Sequence, residues 1–242
     1  MLQLITACVS SVDEAKGNTS NLLFSGQILP ERNAGLNGAP SLRLEPGAAC
    51  VTAVLDGRGA AGRRAAYLAA GAIRSAGTEL HGTEDLETLY TKIHNDIAAA
   101  AAAEDAEPMA AAAACVVVEG DRLSLANLGS CRIYLMRDRS LYRLSRASAD
   151  TVSQAPPPLP GGGPALGSDA VPPFTVKGTL QPGDQLLLCT GWLCAAAAER
   201  EILQTLTEYA SPSDALLRLT ALAGSGSGDI AAVLLKVEKA AE

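Results

Sequence analysis

One aspartate of this chain stands where a carboxylate could do chemistry. Asp56 and Gly57 directly follow the apolar run Ala48–Leu55, so the side chain of Asp56 is expected at the end of a buried strand. A carboxylate there would be a hard oxygen donor of the kind that Mg²⁺ and Mn²⁺ prefer. Asp-Gly is also favoured in turns that end a strand, so the residues alone leave a metal ligand and a turn residue both open.

Composition excludes several classes of protein. The 242 residues carry a formal charge of −7, which argues against nucleic-acid binding because that would need a basic stripe. Hydrophobic residues make up 48% of the chain and aromatic residues 3%, so a core packed mainly from Leu, Val, Ile and Ala is expected. No apolar run approaches the roughly 18 residues of a membrane span, and the first residues lack the regions of a signal peptide. We therefore expect a cytoplasmic protein without a membrane segment.

The positions of the six cysteines indicate a structural role for them, not a role in metal binding or redox chemistry. No pair has CxxC spacing, which argues against a zinc ribbon or a thioredoxin-like motif, and two histidines are too few for a His-rich metal centre. Most of the cysteines stand inside apolar runs, so we expect buried, reduced strand residues. They are Cys8, Cys50, Cys115, Cys131, Cys189 and Cys194.

The elements that must position these residues are grouped, not alternating. Apolar runs predict strands at Leu2–Ser11, Asn21–Leu29, Ala48–Leu55, Ala111–Glu119, Arg122–Leu128, Arg132–Arg137, Ser140–Leu144, Thr175–Gly178, Gln185–Cys189 and Ile230–Val237. Helical spacing predicts helices at Gly59–Ala76, Thr83–Ala103, Ala195–Tyr209 and Ser213–Ala223. This order is typical of an α+β fold with layered antiparallel sheets. We expect one domain over residues 1–242, with a long Pro- and Gly-rich connection at 147–173.

Five segments carry a family resemblance over nearly the whole chain: VTAVLDGRGAAGRRAA, ANLGSCRIYL, SLYRLSR, LQPGDQLLLCTGWL and GDIAAVLLKV. In order and spacing they resemble the bacterial branch of the metal-dependent PP2C (PPM-type) serine/threonine phosphatases. VTAVLDGRGAAGRRAA resembles the family's strand, DGxGG turn and helix, and ANLGSCRIYL resembles its A-N-x-G-D-S-R-x-Y-L meander. SLYRLSR, LQPGDQLLLCTGWL and GDIAAVLLKV resemble the later strand segments. The segments are Val51–Ala66, Ala126–Leu135, Ser140–Arg146, Leu180–Leu193 and Gly228–Val237.

The resemblance implies a four-layer α/β/β/α sandwich of two antiparallel sheets flanked by helices. It also implies a pair of Mg²⁺ or Mn²⁺ ions held by aspartates and waters, with a bridging water that attacks a phosphoserine or phosphothreonine. Asp56 and Gly57 match the family's metal-bridging aspartate and the glycine whose carbonyl binds one ion.

Most of the family's other metal positions are changed. Three positions that carry a metal aspartate in the family hold Ser20, Gly191 and Gly228 here. Asp229 stands one residue after Gly228, where alternation along a strand would turn its side chain to the opposite face. In the meander, Ser130 and Cys131 replace the family's aspartate and serine.

A chain that keeps the residues of the family's sheets and turns but lacks those at its metal positions is typical of a pseudophosphatase. We expect no cofactor and a function in binding a protein partner, such as a phosphoprotein or a kinase. The alternative is a divergent, active phosphatase that uses Mg²⁺ or Mn²⁺ with Asp56 and recruited acids such as Asp13 or Asp229. A purely structural oligomerisation module is a third interpretation.

Two further residues near these segments have open roles. Trp192 stands where the family has a glycine, and it could fill the former metal pocket or simply pack in the core. Arg58 follows Asp56 closely, so it could bind an anion at a helix start or belong to a solvated helix face.

Overall fold

The computed structural model describes residues 1–12, 19–30, 35–106, 108–146, 164–168, 170–224 and 228–240. Its strands are β1 Leu2–Ser11, β2 Ser20–Phe24, β3 Gln27–Leu29, β4 Ser41–Arg43, β5 Cys50–Arg58, β6 Ala110–Glu119, β7 Arg122–Leu128, β8 Arg132–Arg137, β9 Ser140–Arg143, β10 Phe174–Thr179, β11 Gln185–Cys189 and β12 Ile230–Lys239. Its α-helices are α1 Gly62–Ala76, α2 Thr83–Glu104, α3 Gly191–Ala196, α4 Glu199–Glu208 and α5 Pro212–Ala223, and a 3₁₀ turn spans Gly77–Glu79.

The strands form two antiparallel sheets of six strands each. The order in one sheet is β4-β1-β12-β11-β8-β9, and in the other it is β10-β7-β6-β5-β2-β3. The first and last strands of the chain pair along their whole length, from Leu2 opposite Lys239 to Ser11 opposite Ile230. The meander β6-β7-β8-β9 crosses between the sheets at the Gly129–Cys131 link, since β7 belongs to one sheet and β8 to the other.

Three layers of buried apolar side chains hold the four structural layers together. Successive residues of β5 divide between two of them, because Val54 faces the other sheet while Ala53 and Leu55 face α1 and α2. The third layer joins the sheet of β1 and β12 to α3, α4 and α5. The expected α/β/β/α sandwich is therefore confirmed, with a core of small and branched aliphatic residues as composition predicted.

Two of the predicted elements are each divided into two elements in the structure. The predicted strand Asn21–Leu29 is a hairpin, because Ser25 and Gly26 both have positive φ angles and form the two-residue turn between β2 and β3. The predicted helix Ala195–Tyr209 is two helices. Its first part belongs to α3, which begins earlier, and α4 starts only after extended backbone at Ala197 and Ala198.

The long connection at 147–173 lies largely outside the described residues, which resume at Pro164. Leu166 is buried and exchanges two backbone hydrogen bonds with Ala111, so this end of the connection is attached to β6. In the described part of the chain, no helix combines the length and the apolar character needed to span a membrane.

Candidate functional site

The candidate site lies where β5 and β2 run side by side. Antiparallel register sets Asp56 directly opposite Ser20, and both side chains are buried. The Ser20 hydroxyl donates a hydrogen bond to Asp56 Oδ1 at 3.2 Å. Two positions that the family resemblance selected are thereby brought into contact, one with its carboxylate and one with a hydroxyl in place of a carboxylate.

A second hydroxyl reaches Asp56 from the turn between β7 and β8. Ser130 Oγ donates to Asp56 Oδ2 at 3.4 Å, and the same oxygen accepts a hydrogen bond from Arg58 Nη2 at 3.0 Å. Arg58 is the last residue of β5 and is partly buried, so the expected position on a solvated helix face is wrong. Asp56, Ser130 and Arg58 form a continuous polar network.

Burial decides the protonation behaviour of Asp56, whose exposed fraction is 2%. Loss of hydration raises the pKa of Asp56 to about 6. The positive charge of Arg58 and the hydroxyls of Ser20 and Ser130 act in the opposite direction, while the negative charge of Asp229 raises the pKa further. The protein groups that surround the carboxylate are thus two hydroxyl donors and one nearby cation.

Asp229 lies close to this network but is engaged elsewhere. It precedes β12, and its Oδ2 accepts hydrogen bonds from the backbone nitrogen and the hydroxyl of Thr19, at 2.6 and 2.8 Å. The carboxylate thus ties the start of β12 to the start of β2, across the two sheets. Asp13, the other candidate ligand, lies outside the described residues.

Gly57 is required by close backbone packing. A β-carbon at this position would collide with the carbonyl oxygen of Gly62 and would lie 2.7 Å from that of Thr19. The Gly57 nitrogen donates to the same Thr19 oxygen at 3.0 Å. The glycine of the Asp-Gly pair is therefore explained by the contact between β5, α1 and the segment before β2.

The two glycines that the family resemblance places at metal-aspartate positions have no space for a side chain. At Gly191 an added β-carbon would lie 2.9 Å from Ser130 Cβ. At Gly228 it would lie 2.5 Å from both Cδ2 and Cε2 of Trp192. Trp192 is half-buried and packs against the layer beneath α3 to α5, so it fills this space and also contributes to the core.

The side chains of the site that the structure describes do not by themselves supply the ligands of a pair of divalent ions. Within the described ranges, no three His, Cys, Asp or Glu side chains converge on a point that could hold a metal ion. Mg²⁺ requires about six oxygen ligands in near-octahedral geometry and gives up water reluctantly. Among the residues that the structure describes, Asp56 and Asp229 are the two carboxylates at the site, and both accept hydrogen bonds from neighbouring residues.

The contacts of Arg58 and Ser130 could not be predicted from the sequence alone. They are 72 residues apart, and their contact depends on the turn at Gly129, where φ is +90° and an added β-carbon would lie 2.7 Å from Ala112 Cβ. The available signal was the replacement of the family's aspartate by Ser130 together with an arginine two residues after Asp56.

Solved structures of bacterial phosphatases resemble this chain over most of its length. The catalytic domain of the serine/threonine protein phosphatase PstP, in complex with two manganese ions, aligns with a TM-score of 0.78 at 23% identity, over 99% of this chain and 100% of that one. PstP/Ppp of Mycobacterium tuberculosis aligns with a TM-score of 0.77 at 22% identity, over 98% of this chain and 100% of that one. The serine/threonine phosphatase of S. agalactiae aligns with a TM-score of 0.70 at 20% identity, over 79% of this chain and 89% of that one. No protein-family model and no curated protein sequence matches the chain.

The structural likeness covers both sheets and the flanking helices, which is the architecture that the five sequence segments implied. At these levels of identity it establishes the fold, while the chemistry of the site rests on the side chains described above. The chain therefore has the fold of the bacterial PP2C-type serine/threonine phosphatases.

Proposed function

We propose that this chain is a catalytically inactive PP2C-like protein, a pseudophosphatase, that acts by binding a protein partner. The observation that carries the proposal is the indole of Trp192 lying over Gly228, in the space where the family carries a metal aspartate. A large, half-buried ring at that place excludes both the carboxylate and the ion that it would bind.

The hydrogen-bond network of Asp56 supports the same conclusion. The hydroxyls of Ser20 and Ser130 occupy its two oxygens, and the guanidinium of Arg58 supplies a positive charge beside it. A fixed cation replaces part of the electrostatic role of a metal, and it disfavours the approach of another cation. It supplies neither a Lewis acid nor a metal-activated water.

Energetics argue in the same direction. Each tenfold change in affinity corresponds to about 1.4 kcal/mol, so the loss of several carboxylate ligands, each contributing a few kcal/mol, weakens ion binding by several orders of magnitude. Ser20, Gly191 and Gly228 represent three such losses. Mg²⁺ or Mn²⁺ would then be bound only far above the concentrations at which a dimetal phosphatase works.

For the partner, we propose a phosphoprotein or a kinase. The structural neighbours are serine/threonine phosphatases, and a related scaffold that has lost its ligands can keep a surface for the same class of protein. The cytoplasmic location expected from the sequence remains a prediction.

Hydrolysis assays test the proposal directly. We expect no Mn²⁺-dependent turnover of p-nitrophenyl phosphate or of a phosphothreonine peptide above that of Asp56→Ala, and no Mn²⁺ binding by calorimetry at millimolar metal. Asp96→Ala, which removes an exposed carboxylate on α2, serves as the matched control. Turnover that survives in Asp96→Ala and disappears in Asp56→Ala would overturn the proposal. Loss of activity also in Asp229→Ala would then favour the divergent phosphatase that recruits this acid.

A further inference from the structure

Two cysteines meet at the corner between β11 and α3. Cys189 is the last residue of β11 and Cys194 lies in the following helix, and their Sγ atoms are 3.4 Å apart. The corner is fixed by Thr190, whose hydroxyl donates to the Asp229 carbonyl at 3.1 Å and accepts from the Ala231 nitrogen at 3.3 Å. The contact between the two thiols therefore belongs to a well-anchored turn.

The surroundings of the pair make its two members unequal. Cys189 is fully buried, whereas Cys194 is partly exposed and also accepts a hydrogen bond from the Tyr134 hydroxyl at 3.6 Å. The hydrogen bond from Cys189 lowers the pKa of Cys194 and raises that of Cys189, and the Tyr134 hydroxyl adds to the effect on Cys194. Cys194 is thus the more easily ionised thiol and belongs to the less buried residue of the pair, with the Cys189 thiol directly beside it.

We propose that Cys189 and Cys194 form a reversible intramolecular disulfide when the protein meets a peroxide. The thiolate of Cys194 attacks one oxygen of hydrogen peroxide, an S–O bond forms, the O–O bond breaks, and the departing hydroxide takes up a proton to become water. The Cys189 sulfur then attacks Cys194 Sγ, an S–S bond forms, the S–O bond breaks, and a second water leaves with the Cys189 proton. Two thiols are oxidised and one peroxide is reduced to two waters.

Geometry favours this reaction over further oxidation of Cys194. The sulfurs are 3.4 Å apart and must close to the disulfide length of about 2.0 Å, so the resolving thiol is already next to the sulfur that it attacks. Burial raises the pKa of Cys8, Cys50, Cys115 and Cys131, so these thiols react more slowly.

The disulfide would close a ring that contains Trp192. The bridge spans residues 189–194, so the backbone of Trp192, whose indole lies over Gly228, belongs to the closed loop. Oxidation would therefore fix α3 to the end of β11 and hold the ring of Trp192 in the former metal pocket. Trp192 is the one tryptophan of the chain, and its fluorescence reports the change without a label.

Peptide mapping tests the proposal on the intact protein. Cleavage after Lys and Arg releases residues 178–200 as one peptide, which contains Cys189 and Cys194 and no other cysteine. After hydrogen peroxide we expect this peptide to take no alkylating label, to be lighter by two hydrogen atoms, and to take two labels again after dithiothreitol. Free thiols counted in denaturant should fall from the six of the sequence to four.

Variants separate the pair from the other cysteines. We expect Cys189→Ser to leave Cys194 as a sulfenic acid that dimedone traps, and Cys50→Ser, the matched control at the other partly exposed cysteine, to form the disulfide as the wild type does. The peptide map of the wild-type protein tests the proposal even if Cys189→Ser folds poorly. The proposal is overturned if the 178–200 peptide keeps two alkylated cysteines after peroxide, or if Cys194 accumulates as a sulfinic acid while Cys189 stays free.

Discussion

The indole of Trp192 lies directly over Gly228, so that an added β-carbon at position 228 would come within 2.5 Å of two ring atoms. Gly228 also has a φ of +95°, a backbone conformation that side chains with a β-carbon rarely adopt. Two independent physical obstacles, one steric and one conformational, therefore oppose an aspartate at the position where the phosphatase family carries one. Restoring the ligand by a single substitution is not possible without moving the tryptophan.

Substitutions at these two positions should be strongly coupled. We expect Gly228→Asp to lower the free energy of unfolding by about 2–4 kcal/mol, from the clash with Trp192 and from strain at positive φ. Trp192→Ala relieves the clash, so the double variant should be more stable than the sum of the single effects predicts, by about 1 kcal/mol or more. Urea unfolding of the four proteins measures the coupling. Simple additivity would contradict the contact.

Asp56 should make the stability of the protein depend on pH. Its pKa is raised from 3.8 to about 6 in the folded protein, so between these values the unfolded chain gives up the proton first. The contribution of Asp56 to the free energy of unfolding is therefore largest below pH 3.8, and this contribution is lost as the pH rises through about 6. Asp56→Asn removes the ionisation and should stabilise the protein at pH 7.5 by on the order of 1–3 kcal/mol.

The measurement for Asp56→Asn is urea unfolding at several pH values from 4 to 7.5. The advantage of the variant should shrink towards the acid end, because Asp56 is then protonated in the folded protein and the unfolded carboxyl, with a pKa of 3.8, begins to take up its proton as well. Asp96→Asn, at an exposed ion pair with Lys92, is the control and should differ little from the wild type at any of these pH values. A variant that is less stable than the wild type at pH 7.5 would show that the ionised Asp56 is stabilising.

Much of the fold could be predicted because its strands have strong local signals. The run around Val54 is apolar without a polar alternation, which predicts burial on both faces, and its neighbours do divide between two cores. The turn at Ser25 and Gly26 was missed because it interrupts an otherwise apolar run of nine residues, and Ser-Gly is a weaker hairpin signal than Asn-Gly.

The site could be predicted only in part. The position of Ser20 opposite Asp56 follows from the family's segment order, but the hydrogen bonds of Arg58 and Thr19 do not. Both depend on contacts between residues distant in the sequence, and the Thr19–Asp229 contact joins residues 210 apart. Such contacts depend on how the two sheets pack, and no local pattern encodes that arrangement.

Asp229 should behave as a structural acceptor. Its Oδ2 accepts two hydrogen bonds from Thr19, so we expect Asp229→Ala to lower the free energy of unfolding by about 1–3 kcal/mol, while Asp229→Asn keeps an acceptor oxygen and loses less. Thr19→Val should remove part of the same interaction. Thermal unfolding with and without Mn²⁺ checks this, and a metal-dependent stabilisation that vanishes in both Asp229 variants would instead identify a metal ligand.

Asp184 belongs to the retained Pro-Gly-Asp turn, and its side chain is 1% exposed. Arg137 donates to both carboxylate oxygens, at 2.8 and 2.6 Å, and also to the Thr179 carbonyl, while the Gln181 nitrogen donates to Oδ2. Arg137→Ala leaves this carboxylate buried without its charge partner, so a loss of about 3–5 kcal/mol is expected in urea unfolding. Arg122→Ala, which removes an exposed ion pair, should cost less than about 1 kcal/mol. Equal effects of the two substitutions would refute a scaffold role for the Asp184 pair, and with it the proposed reason why this turn resembles that of the phosphatase family.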